Sequence, residues 1–213
     1  MKALIFGSNG QDGKFLIELL NVINVNVITF SRNNSIIIGS VSDYKLVEST
    51  IKFHKPDFIF HLAANSTTSH DIIFENHETI STGTINILES CRIHSPKSKI
   101  FLSGSAMQFK NNGKPIDENV QFEARSPYAI ARIQSTYAGR YYRDIFGMNV
   151  YIGYFFNHDS ELRSDKHINQ KIAYAAKRIS LGSNEKLKIG NIDVLKEYNY
   201  AKDIINAVWI LVN

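Results

Sequence analysis

The sequence predicts an α/β protein built on a doubly wound parallel sheet. Three observations carry that expectation. Short runs, apolar at nearly every position and rich in β-branched and aromatic residues, read as strands buried on both faces. They alternate with longer stretches that place apolar residues at i, i+3 and i+4. The first run also passes straight into a glycine-rich turn and then a helix-periodic stretch.

Taken in order, KALIF (2–6) is the first strand, GSNGQDG the turn, and GKFLIELLNVI (13–23) the first helix. VNVITF (25–30) and III (36–38) follow as strands, then DYKLVESTIKFH (43–54) as a helix and DFIFHL (57–62) as a strand. One long helical stretch is expected from about 71 to 95, a strand at KIFLSGS (99–105), a helix at SPYAIARIQSTYAGRYYRDIFG (126–147) and a strand at NVYIGYFF (149–156). Residues 157–213 change character: a polar loop, a helix near 165–181, a short strand near 187–189 and a last helix at 201–213. The expected division is therefore a dinucleotide-binding unit over 1–156 and the start of a smaller, truncated substrate-binding portion over 157–213.

Composition narrows the function classes. Among 213 residues, 24 Lys and Arg stand against 20 Asp and Glu, a formal charge of +4 with no basic run, which argues against nucleic acid as the ligand. The one cysteine, Cys91, cannot form an internal disulfide and shares an apolar helical face with Ile87 and Leu88, which fits core packing in a reducing cytoplasm. The N-terminus lacks the apolar length of a signal peptide or a membrane span, so a soluble, intracellular protein is expected, with no membrane partner. The histidines form no H-E-x-x-H and accompany no cysteine pair, so no metal site is expected. His61, at the end of a buried run, reads as packing.

Gly7, Gly10 and Gly13 fit G-x-x-G-x-x-G, a spacing variant of the Rossmann dinucleotide fingerprint. Glycine is needed for a tight exit from the strand, for close approach of a pyrophosphate to the backbone, and for packing of the helix on the sheet. The helix N-terminus then offers free N–H groups and a positive dipole end. About 20 residues on, where an acid would accept bonds from an NAD ribose, the chain reads TFSRNN. Arg32, with Ser31 beside it, suits a 2′-phosphate, which favours NADP over NAD.

SPYAIAR places Tyr128 and Arg132 four residues apart on one helical face, and Ser105 ends the strand before that helix. A strand-end hydroxyl, a tyrosine and a cation one turn later suit hydride transfer. The cation favours the phenolate, the phenol passes a proton to or from a sugar alcohol or ketone, and the serine bonds the same oxygen.

The glycine turn, HLAA at 61–64, the strand-end serine and Tyr-x-x-x-cation, in that order, resemble the extended short-chain dehydrogenase/reductases, the epimerase/dehydratase superfamily. Within it the chain resembles the GDP-mannose 4,6-dehydratase branch almost end to end, through GSNGQDG, KPDFIFHLAAN, RSPYAIAR, FFNHDS and IGNIDVLKEYNYAKD. The resemblance implies that Gly7, Asn9, Gly10, Gln11, Asp12 and Gly13 line the pyrophosphate, that Arg32 holds the 2′-phosphate, and that Ala63, Ala64 and Asn65 contact the cofactor's sugar and phosphates. Tyr128 and Arg132 serve both catalysis and the cofactor. His158 and Arg163 match family cofactor contacts, and Asn157 and Lys171 fall where the family meets its nucleotide-sugar. A GDP-linked sugar substrate and a homodimer are implied as well.

The departures from the branch bear on the reaction. Where the dehydratase pattern has a threonine followed two residues later by a glutamate, the acid for the leaving 6-hydroxyl, this chain has Ser105 and Met107. Asp117 and Glu118 lie in the following loop, at the wrong spacing. The usual lysine is Arg132, which cannot give up a proton to a relay. Ser40 stands where an aspartate near the adenine is usual, and the branch runs on beyond helix 201–213. Two readings follow: an NADP-dependent sugar-nucleotide oxidoreductase working by C4 oxidation, keto reduction or epimerisation, and a catalytically weakened dinucleotide-binding protein with an assembly or regulatory role.

Overall fold

A computed structural model describes residues 1–165 and 167–213. Its centre is a six-stranded sheet in the order β3–β2–β1–β4–β5–β6, parallel throughout, formed by β1 (Lys2–Phe6), β2 (Asn26–Ser31), β3 (Ile37–Ile38), β4 (Phe58–His61), β5 (Lys99–Ser105) and β6 (Asn149–Phe155). The expected strand runs are thus the observed ones, to within a residue or two at each end. β1 pairs with β2 on one side and β4 on the other, so Ala3, Leu4, Ile5 and Phe6 are wholly buried.

The two faces of the sheet alternate residue by residue. Leu4 and Phe6 join a core with α2 (Tyr44–His54), α4 (Gly83–His94) and α5 (Pro127–Phe146) through Val47, Ile51, Ile87, Leu88 and Tyr142. Ala3 and Ile5 face α1 (Gln11–Val22) and α7 (Ala201–Val212) through Phe15, Leu16, Ile205 and Val208. The chain turns to opposite edges after β1, so the carboxyl ends of β1 and β4 flank a crevice, the position at which doubly wound sheets bind ligands.

Four expectations change. The stretch 71–95 is not one helix: a turn at His70–Ile72 leads into α3 (Ile73–Asn76), a π-helical stretch His77–Thr82, and then α4. At the head of α4 a Cβ on Gly83 would sit 2.7 Å from Val41 Cγ1, so the helix enters against the β3–α2 loop as only glycine allows. No strand forms near 187–189, where the Lys188 carbonyl accepts from Lys171 Nζ instead. The strands that do form, β7 (His158–Asp159) and β8 (Asn199–Tyr200), pair with each other and are too short to show a period in sequence. Finally, α6 (Ile168–Ser180) lies apart from the sheet's cores, but α7 does not follow the expected division at 157: Ala201, Ile205, Val208 and Val212 are buried in the same core as β1.

Candidate active site

The glycine turn is held by its own backbone. Gly7 has φ +87°, and a Cβ there would meet the Ala63 nitrogen at 2.5 Å, so β1 can leave the sheet beside β4 only through glycine. A Cβ on Gly13 would lie 2.6 Å from the Gly7 carbonyl oxygen, so α1 packs onto the turn only without one. Gly10 differs, because its nearest protein neighbour to an added Cβ is 3.4 Å away. The fold itself demands two of the three glycines; the third leaves backbone open to the crevice. No side chain caps α1, whose N-cap is Gly10, so the first-turn N–H groups face the cleft uncapped.

On one side of the turn lies a cavity of about 300 Å³ lined by Gly7, Asn9, Gly10, Arg32, Ala63, Ala64 and Asn65, with Ser31, Ser40 and Thr79 completing its wall. Asn9 Nδ2 donates to Ser31 Oγ (2.7 Å) and Asn33 Oδ1 (2.9 Å), tying the turn to the end of β2. The exposed Arg32 reaches across the cavity to Asn65 Oδ1 at 3.4 Å. These residues fit a dinucleotide: an uncapped helix end for phosphates, and an exposed guanidinium beside the pocket.

On the other side a larger cleft, about 1290 Å³, runs from Gly10–Gly13 past Ser105, Tyr128 and Arg132 to Asn157, His158 and Arg163. Ser105 ends β5 and caps the next turn: its Oγ accepts from the Met107 N–H (3.2 Å), and its own N–H donates to Gln108 Oε1 (2.7 Å). Gln108 Nε2 in turn donates to Thr136 Oγ1 of α5 at 2.9 Å, which locks the strand end to the helix that carries the tyrosine. Helix α5 starts where it must for this. Ser126 Oγ accepts from the Ala129 N–H (3.1 Å) and Pro127 occupies the first turn. Tyr128 and Arg132 then stack one turn apart, with Arg132 Nε donating to the phenolic oxygen at 3.1 Å and the guanidinium 5.1 Å from the ring centre. The three residues expected to act together do meet in one cleft.

A charged cluster fastens residues 158–163 to this cleft. His158 Nε2 lies 3.0 Å from Asp12 Oδ1, while Nδ1 lies 2.8 Å from the Phe156 carbonyl. Both neighbours are acceptors, so the ring donates from both nitrogens as an imidazolium. Burial works against that charge, but the bond and the attraction of the Asp12 carboxylate outweigh it and raise the His158 pKa. Burial likewise opposes the Asp12 carboxylate, and the His158 bond, the His158 charge, Gln11 and Arg163 together hold its pKa below the ordinary value. Arg163 Nε stands 3.7 Å from Asp159 Oδ1. Gln11 Oε1 accepts from Ser160 Oγ at 2.7 Å.

Gln11 and Asp12 line the cleft, as expected, while their side chains also bond to the protein. Asp12 is bonded to His158, and Gln11 accepts from Ser160 through Oε1 and donates to Asp12 through Nε2. Lys171 does not line the cleft; its amine is drawn to the Lys188 carbonyl at 2.5 Å. Met107 lines the cleft, 48% exposed, while Asp117 and Glu118 do not line it. Leu195 to Tyr198 also line the cleft, a stretch the sequence did not mark residue by residue, and bring Glu197 to it. A polar and aromatic stretch immediately before a strongly amphipathic helix was the available signal. Among the described residues no helix is long and apolar enough to cross a membrane.

Comparisons with known proteins agree with this architecture. A GDP-mannose 4,6-dehydratase 1 of Arabidopsis thaliana is 29% identical over 98% of this chain and 66% of its own length. A GDP-mannose 4,6-dehydratase of Yersinia enterocolitica is 29% identical over 99% of this chain and 64% of its own. The chain thus spans about two thirds of the length of these relatives. Among solved structures, a Thermotoga maritima UDP-glucose 4-epimerase with UDP-glucose superposes with a TM-score of 0.86 at 19% identity, covering 100% of this chain and 74% of that one. A Bacillus anthracis dTDP-glucose 4,6-dehydratase in complex with NAD gives 0.86 at 15%, covering 100% and 72%; both likenesses are of fold. A family model described as GDP-mannose 4,6 dehydratase matches residues 4–213, and by that match the chain belongs to the GDP-mannose 4,6-dehydratase family.

Proposed function

We propose that this chain is an NADP-dependent sugar-nucleotide oxidoreductase, acting on a GDP-linked sugar by C4 oxidation, keto reduction or epimerisation rather than by dehydration. The observation that carries the reading is the convergence of Ser105, Tyr128 and Arg132 in the cleft that begins at the glycine turn, with Arg132 Nε 3.1 Å from the phenolic oxygen. Family membership supports a nucleotide-sugar substrate, and the exposed Arg32 beside the smaller cavity supports a 2′-phosphate.

When bound, the nicotinamide supplies or accepts the hydride. The chain's own residues do the rest. Ser105 Oγ and the Tyr128 hydroxyl bracket the sugar oxygen, Tyr128 moves its proton, and Arg132 donates to the phenolic oxygen and stabilises negative charge there. Met107 holds no proton for a leaving 6-hydroxyl, which is why dehydration is left out. The same proposal includes a homodimer, supported by Tyr137, Tyr141 and Ile145 standing exposed along α5, and a cytoplasmic setting, supported by Cys91 kept as a buried free thiol.

Mass spectrometry of GDP-, UDP- and dTDP-sugars incubated with the purified protein and NADP(H) tests it. A 4-keto, reduced or epimerised product is expected, abolished by Tyr128→Phe while cofactor binding persists. Conversion of GDP-mannose to the 4-keto-6-deoxy sugar at an ordinary enzymatic turnover, on the order of 1 per second or faster, would show that another acid serves. No product with any of the sugars would overturn the enzyme reading.

A further inference from the structure

We propose that Ser103 is the positioning residue that orients the Arg132 guanidinium, so that Nε meets Tyr128 and Nη2 is left as a free donor in the cleft. The proposal rests on the functional reading above for what the oriented guanidinium does, and on geometry alone for the orientation.

A guanidinium presents five N–H groups in one rigid plane, and a buried one needs acceptors. Arg132 is only 4% exposed. Its Nε proton goes to Tyr128 Oη, and Nη1 donates both to Ser103 Oγ at 2.8 Å and to the Ser103 carbonyl. No acceptor for Nη2 is found among the described residues, although Arg132 lines the cleft. Three of the five protons are thus placed by two residues, and the plane of the fork is set.

The sheet explains why Ser103 can do this. On the β4 side the β5 ladder ends at the pair Leu102–His61, so Ser103 is the first β5 residue beyond it and its carbonyl is free on that side. Its hydroxyl has one proton, committed to the His61 carbonyl at 2.8 Å, so a lone pair is turned toward the guanidinium. Ser103 is 3% exposed, at the inner wall of the cleft. Among the described residues no second cation bonds these acceptors. The His61 ring is fully buried, and burial foremost, then the Arg132 charge, pushes its pKa down to about 3. A lysine ammonium at position 132 would be a single point of charge with no plane to orient, so the dependence on Ser103 belongs to arginine.

The test is a double-mutant cycle with a readout that needs no ligand. In the free protein, exchange of the Arg132 Nε proton is followed by NMR. Ser103→Ala should accelerate that exchange about tenfold or more and lower turnover roughly tenfold to a hundredfold, the size of a lost charge-assisted bond. Ser103→Thr, which keeps the hydroxyl, should restore both. In an Arg132→Lys background, Ser103→Ala should change turnover less than about twofold. Equal losses in the two backgrounds would mean that Ser103 is merely structural, and unchanged exchange in Ser103→Ala would remove the orienting contact. Should Ser103→Ala fail to fold, Ser103→Cys, of similar size but a weak acceptor, replaces it. A wild-type protein that binds no dinucleotide overturns the functional reading, while the exchange rate still decides the orientation.

Discussion

At the scale of single residues, the glycine turn separates what folding needs from what a ligand needs. Gly7 and Gly13 are required by backbone contacts of 2.5 and 2.6 Å to a would-be Cβ, whereas a Cβ on Gly10 would meet the Gly7 oxygen only at an ordinary contact of 3.4 Å, with a φ of −70°. Gly10→Ala should therefore leave folding stability within about 1 kcal/mol of wild type, since alanine is tolerated there and restricts the unfolded chain. Dinucleotide affinity should fall at least roughly tenfold, because a phosphate that abuts the backbone now meets a methyl group. Calorimetry and urea unfolding on one preparation read both; an affinity unchanged by the methyl would place the phosphates elsewhere. Arg32 carries a second prediction. Its only described side-chain bond is the 3.4 Å contact to Asn65, and Arg32→Ala should weaken NADPH binding by about 1.5–3 kcal/mol with little change for NADH. Equal weakening of both cofactors would end the 2′-phosphate assignment. Tyr128, Arg132 and the glycines were all legible in the sequence because each sits in a short local motif. The partners of Arg132 were not, since Ser103 lies on another element.

At the scale of elements, the segment from β7 into α6 is fastened to the head of α1 by Asp12, His158, Gln11 and Ser160. This contact gives stability a pH window. The Asp12 pKa is depressed, so its contribution is present above its unfolded value, about 3.9, and is lost as pH falls through the lower folded value. The His158 pKa is raised, so its contribution is complete below its unfolded value, about 6.5, and is lost as pH rises through the higher folded one. His158→Asn should cost about 1–3 kcal/mol between those limits and progressively less on the alkaline side. Urea unfolding of both proteins at pH 5.5 and 8.5 checks this, and a difference that is the same at both would mean His158 is not charged in the folded state. The sequence placed His158 near a cofactor by family likeness but could not show its partner, which lies 146 residues away. The long helix of 71–95 failed for a related reason. Its apolar spacing runs through the segment, but the backbone passes through a π-helical stretch at 77–82 before α4 begins at Gly83 against Val41.

For the molecule as a whole, α7 closes the second face of the sheet, and its partner surface comes from α1, β1, β4 and β5. Ile205→Ala should destabilise the fold by about 2–5 kcal/mol, as for other buried isoleucines. The lone tryptophan, Trp209, lies on this helix with its ring 5.0 Å from that of Phe58. Unfolding followed by its fluorescence and by far-UV circular dichroism should trace one coincident transition. A fluorescence transition that comes first would make α7 a separate unit and restore a boundary at 157.

By itself the sequence determined the sheet, its parallel sense, the glycine turn and the Tyr128–Arg132 pair, because each follows from spacing along one strand or one helix, where periods of two and 3.6 residues hold. Only the tertiary structure decided which side chains remain free for a ligand. The side chains of Gln11 and Asp12, which line the cleft, are bonded to Ser160 and His158, and that of Lys171 to the Lys188 carbonyl. Ser103, unremarkable in sequence, holds Arg132 because β4 ends one residue before it in the ladder. The physical reason is the same in each case: a polar group's role depends on which acceptors and donors the packed elements leave within about 3 Å, and that distance is set by strand ends and helix starts far apart in the chain.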